Sequence, residues 1–154
     1  MATIAIGSDH AGKALKDFLR NNLKAHILDD LGTKGSDSVD YPDFAEKVCA
    51  RILEGKAEYG ILVCGTGLGM SIAANKINGI RAAHVESIFT ARMAGEHNAA
   101  NVLCLGERVT AAHHALEIVN AWLEAKFGGK DGDDGVRARH QRRLDKIKAL
   151  EAQK

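Results

Sequence analysis

The run Ile61-Leu62-Val63-Cys64-Gly65-Thr66-Gly67-Leu68-Gly69-Met70-Ser71 sets a thiol and a hydroxyl at one glycine-rich turn. Four apolar or soft residues ending in Cys64 read as a buried strand, and the glycines that follow let the backbone turn with its amides facing one small volume. A cysteine at such a rim, beside Thr66 and a cluster of N–H donors, suits proton or acyl chemistry at a carbonyl. The same run also fits a tight strand-to-helix turn around a buried thiol, since cysteine is among the most buried residue types. A dinucleotide site fits less well, because Met70 stands where a small residue is needed and that fingerprint normally opens the first βα unit. The missing Gly-Lys-Ser/Thr ending excludes a Walker loop.

Ser8-Asp9-His10 follows the first apolar segment, so in a parallel sheet it shares an edge with Cys64. Asp9 is also a good helix cap before Ala11-Gly12-Lys13, and capping is compatible with ligand contact. Glu96-His97-Asn98 reads as a polar helix end, with general acid–base work the one catalytic use open to His97. Metal binding is unattractive: His113 and His114 are adjacent on a helix and share no face, and the sequence has no HxxxH or Cys/His cluster. Arg137, Arg139, His140, Arg142, Arg143, Lys146 and Lys148 make a basic tail, readable as a solvated face or a nucleic-acid footprint. Arg139 and Arg143 are four apart, so on a helix they can clamp one phosphate with His140 beside them. The tail has no aromatic residue, which argues against RNA.

These residues need elements to hold them. Residues 3–7 predict a strand and 11–23 a helix, with Leu15, Phe18, Leu19 and Leu23 at helical spacing. Residues 25–31 predict a second strand and 32–40 a loop. Pro42 suits the first turn of a helix on which Phe44, Val48 and Ile52 recur. Strands at 59–64, 81–85 and 101–105 then alternate with helices at 71–77, 87–96 and 111–126. This alternation predicts an α/β fold, a Rossmann-like three-layer sandwich with a five-stranded, mostly parallel sheet and ligands beyond the carboxyl ends of the strands. The core domain is expected over residues 1–127. Residues 128–154 then form a Gly/Asp-rich linker and a charged helix whose thin stripe of Leu144, Ile147 and Leu150 suits packing on a partner subunit.

At 154 residues, with 45% hydrophobic content, the chain is of single-domain size and able to bury a core. Its 21 basic and 20 acidic residues leave a net charge of +1, so nothing global recruits nucleic acid or an anionic membrane. Three widely spaced cysteines without a CxxC pair read as free thiols in a reducing compartment. With neither a leader-like start nor a membrane-length apolar segment, the chain reads as soluble and cytoplasmic.

Taken together, Gly7-Ser8-Asp9-His10, Asp40-Tyr41-Pro42, the block from Cys64 through Asn75-Lys76, Gly79-Ile80-Arg81, Glu96-His97-Asn98, Asn101-Val102-Leu103, Gly106-Glu107-Arg108-Val109 and Arg139-His140-Gln141 resemble ribose-5-phosphate isomerase type B. That is the ribose/galactose isomerase family, which also holds allose-6-phosphate and galactose-6-phosphate isomerases. The resemblance implies a cofactor-independent aldose–ketose isomerase acting on ribose 5-phosphate and ribulose 5-phosphate, with allose 6-phosphate the first alternative. It also implies a homodimer or a tetramer with active sites between subunits. It assigns Cys64 as the base that moves a proton between carbons 1 and 2. Gly65, Gly67, Leu68, Gly69 and Ser71 become the anion hole, with Thr66 assisting. His97 becomes the ring-opening group; Asp9 and His10 become sugar-ring contacts; Asn98, Tyr41 and His140 become substrate contacts; and Arg108, Arg139 and Arg143 hold the phosphate, some of them from the second subunit. A branch of the family without the cysteine uses a glutamate at the position of Met70, so this chain follows the cysteine branch. His97 disfavours the galactose-6-phosphate isomerase subunit that lacks the ring-opening histidine. The 128–135 segment is longer than the short glycine turn associated with the family.

Overall fold

A computed structural model describes residues 1–129 and 134–153. Five strands, β1 (Thr3–Ser8), β2 (Ile27–Asp30), β3 (Tyr59–Cys64), β4 (Ala82–His84) and β5 (Val102–Gly106), form one sheet in the order β2-β1-β3-β5-β4. Every pairing is parallel, with Ile6 opposite Ile61, Leu62 opposite Cys104 and His84 opposite Cys104. The helices are α1 (Lys13–Asn22), α2 (Tyr41–Leu53), α3 (Leu68–Ala74), α4 (Ile88–Asn98), α5 (Ala112–Leu123) and α6 (Asp134–Glu151).

The period-two alternation of the strands assigns each residue to a layer. Ile4, Ile6, Ile61, Val63, Leu103 and Leu105 face a core built with α1, α4 and α5, where Leu19, Ile118 and Trp122 are buried. Ala5, Leu62, Cys64, Val102 and Cys104 face the other layer, against Phe44 and Val48 of α2 and Met70 of α3. Cys64 therefore leaves the sheet on the α2/α3 side, at its carboxyl edge.

The expected architecture is present, with shifted boundaries. α3 starts at Leu68, three residues before the expected position, because Gly67 adopts a left-handed conformation (φ +81°) and caps the helix directly after the turn. β2 starts at Ile27 because α1 ends in a turn through residues 23–26, where the His26 amide donates to the Leu23 carbonyl. Of the expected linker, residues 130–133 lie outside the described residues. α6 lies along its own chain: the Gly79 amide donates to Glu151 Oε1 at 2.8 Å, and α6 touches α4.

Candidate active site

The carboxyl edge of the sheet gathers one set of the expected residues. Cys64 ends β3, is 5% exposed, and its Sγ accepts a hydrogen bond from the Gly67 amide at 3.1 Å. The chain after β5 doubles back along this turn, with the Glu107 amide donating to the Cys64 carbonyl and the Arg108 amide to the Gly65 carbonyl. The Arg108 guanidinium lies over Gly65, since a Cβ built there would stand 3.3 Å from Cζ. Tyr41, at the start of α2, backs Gly69 in the same way, 2.7 Å from a Cβ built at that position. Thr66 is exposed, and its Oγ1 accepts from the Leu68 amide at 3.4 Å; the Ser71 amide continues α3 by donating to the Gly67 carbonyl.

Asp9 and His10 come to the same edge because β1 is parallel to β3 and ends beside it; the Asp9 amide donates to the Val63 carbonyl. Asp9 Oδ1 accepts from the Ala11 and Gly12 amides at 2.9 and 3.0 Å, so the capping role is real. The exposed His10 ring accepts the Val39 amide at Nδ1, tying the 32–40 loop to the edge. Buried Lys16 secures this loop from beneath. Its ammonium donates to both oxygens of Asp30 at 2.9 Å, Asp30 Oδ1 accepts the Gly32 amide, and the Gly32 carbonyl accepts the Ser8 amide.

The second set of residues lies at the opposite edge. A helix that follows a strand in a parallel sheet runs back antiparallel to it, so α4 starts near the carboxyl edge and delivers His97 and Asn98 to the amino edge. Asn101, three residues on, gives its carbonyl to Gly60 near the start of β3. The 11 residues of α4 span roughly 16 Å, a separation that one side chain does not bridge. His97 stacks on His140 of α6, ring centroids 4.3 Å apart and planes 15° from parallel. His140 is 4% exposed, and among the described residues its Nε2 has no partner. Desolvation first, then the charges of His97, Arg139 and Arg143, push its pKa down and favour the neutral ring. Arg139 and Arg143 stand exposed on the same helix, one turn apart.

Cys49 and Cys104 are fully buried behind Cys64. Burial pushes the Cys49 thiol up to about 11, and burial together with Cys49 and Cys64 pushes Cys104 well up, so both stay protonated. Among the described residues no group of three or more His, Cys, Asp or Glu side chains could hold a metal ion. No helix among them is long and apolar enough to cross a membrane.

Sequence reasoning missed two residues. Glu107 lies in a quoted motif without an assigned role, yet its Oε2 accepts the Leu15 amide at 2.9 Å and ties the first turn of α1 to the Cys64 loop. His84, the last residue of β4, packs against Gly67. The available signal was position, since a polar residue closing a parallel strand points to the ligand edge.

A parallel α/β sheet with a thiol, a glycine-rich turn and Arg108 at one edge suits an enzyme working on a small anionic substrate. Residues 4–147 match the family model described as Ribose/Galactose Isomerase, and the chain belongs to that family. It is 40% identical to ribose-5-phosphate isomerase B of Escherichia coli, over 98% of this chain and 97% of that protein. Ribose-5-phosphate isomerase B of Clostridium thermocellum superposes with a TM-score of 0.90 at 48% identity, covering 98% of each chain. The Mycoplasma genitalium ribose-5-phosphate isomerase B, solved with bound ribulose-5-phosphate, superposes at 0.88 with 41% identity, covering 99% of this chain and 97% of that one.

Proposed function

We propose that the chain interconverts ribose 5-phosphate and ribulose 5-phosphate through an enediolate, with Cys64 as the base. The observation that carries this reading is the Gly67 amide aimed at Cys64 Sγ at the mouth of an amide-lined turn. A thiolate held there removes the proton from carbon 2 of the open-chain aldose and returns it to carbon 1. The amides in the first turn of α3, which have no acceptor within the helix, stabilise with Thr66 the oxygen on which negative charge develops. His97 opens the furanose by moving a proton between the ring oxygen and the anomeric hydroxyl. Asp9, His10, Tyr41 and Asn98 orient the sugar, Arg108, Arg139 and Arg143 bind the phosphate, and His140 lies against the His97 ring.

Because His97 and Cys64 sit at opposite edges of one sheet, this chemistry needs a second copy of the chain. We propose a homodimer in which each site takes Cys64 from one subunit and His97, Asn98 and the α6 arginines from the other. The surface supports this. Leu68 and Ile72 beside Cys64 are 54% and 63% exposed, while an apolar cavity of about 460 Å³ beside Asn98 is lined by Ile80, Ala83, Ile147 and Leu150. A two-fold axis that seats the first in the second brings the two half-sites together, with α6 holding Arg139 and Arg143 beside the His97 of its own chain.

The test is turnover by the purified protein of ribose 5-phosphate against allose 6-phosphate. A kcat/KM higher for ribose 5-phosphate supports the proposal. Preference for the hexose phosphate reassigns the substrate, and activity on neither overturns the isomerase assignment for both.

A further inference from the structure

Gly67 carries the amide that reaches Cys64, and its conformation is held from outside the loop. A Cβ built on Gly67 would lie 2.7 Å from His84 Cδ2 and 3.1 Å from His84 Nε2 on one side, and 3.0 Å from the Leu105 carbonyl carbon on the other. The glycine is thus wedged between an imidazole ring and the β5 backbone. His84 reaches it because β4 is parallel to β5 and ends at the carboxyl edge, with His84 in register with Cys104.

The His84 Nε2 is buried without a hydrogen-bond partner among the described residues, and Glu86 Oε1, at 3.7 Å, is beyond hydrogen-bond reach. What the side chain supplies is rigid volume behind a residue at φ +81°, a conformation that glycine readily leaves when space opens. We infer that His84 is a positioning residue for the isomerisation, its ring packing on Gly67 so that the Gly67 amide stays on Cys64 Sγ. The inference rests on Cys64 being the base, and His84 itself touches neither substrate nor reacting atoms.

Two variants of the full-length protein test it. His84→Ala opens space behind Gly67, and kcat should fall about tenfold with KM within about twofold, because misplacing a donor weakens the transition state more than substrate binding. The rate of Cys64 alkylation by iodoacetamide at pH 8, mapped by mass spectrometry, should fall several-fold alongside. His84→Leu refills the space without a ring nitrogen and should recover most of both. Unchanged kcat and alkylation in His84→Ala would overturn the inference, as would a Leu variant as impaired as the Ala variant. Cys64→Ser run in parallel separates the two hypotheses. Retained turnover in Cys64→Ser removes the base assignment, whereas the alkylation rates still report whether His84 controls the surroundings of the sulfur.

Discussion

Opposite placement of His97 and Cys64 predicts complementation between two inactive proteins. Cys64→Ser removes the proposed base, and His97→Asn removes ring opening for the cyclic sugar; each should retain about 1% of wild-type turnover or less. In an equal mixture whose subunits exchange freely, any given site takes its sulfur from the His97→Asn chain in about half of cases, and its imidazole from the Cys64→Ser chain in about half. The product is about a quarter of wild-type activity, and it is the same for a dimer or a larger assembly built from the same pairs. A site contained within one chain predicts no recovery, because every chain then lacks one group. Exchange is verified by co-purification of an untagged variant with a tagged one, and the rate is measured on equilibrated ribose 5-phosphate. Demonstrated exchange with activity no greater than the sum of the separate variants would refute the shared site.

Cys64→Ser should lower kcat about a thousandfold while KM changes little, because the hydroxyl cannot hold the abstracted proton's charge as a thiolate does; steady-state kinetics check this. Lys16→Met leaves the half-buried Asp30 carboxylate with only the exposed Arg20 as counter-charge among the described residues, and should cost about 2 kcal/mol, read as a lower urea midpoint at unchanged m. Burial pushes the Asp30 pKa up, but Lys16, the Gly32 amide and Arg20 outweigh it and hold it below the ordinary 3.8. Its contribution is therefore full above the ordinary carboxylate range and lost as the pH falls through the depressed value. Asp30→Asn should flatten the acid limb of the stability curve below about pH 4, measured by thermal melts across pH. Truncation after Phe127 removes the Arg139/Arg143 pair and the Glu151 tie to Gly79, and should leave a folded core by circular dichroism with KM raised about tenfold or more.

Much of this arrangement was legible because βαβ topology fixes where each kind of residue ends up. Strand ends lie at the carboxyl edge, which places Asp9 and His10 beside Cys64 from the sequence alone, whereas Arg108 entered through the family resemblance. The same rule sends helix ends to the opposite edge, so the placement of His97 and Asn98 was implicit in the alternation of elements even though it entered only through the family resemblance. Illegible were features set by side-chain packing across the sheet. The left-handed Gly67 is decided by the ring of His84 and the backbone of Leu105, which come from other strands. The α6 contacts depend on Glu151 finding Gly79 and His140 finding His97, pairs that no local periodicity announces.

The proposed division of the site between two subunits would also account for the composition of α6. A helix that only filled out its own domain would bury a broad apolar stripe, yet α6 buries His140 and leaves Ile147 and Leu150 exposed beside the cavity next to Asn98. Those exposed residues make sense as one wall of a seat for a second chain, with Arg139 and Arg143 held at the rim to meet a phosphate brought by that chain. Catalysis is then conditional on assembly. On the proposed reading a lone subunit holds Cys64 and His97 at opposite edges with neither facing its counterpart, so dilution below the dimer dissociation constant should abolish turnover while each subunit keeps its sheet.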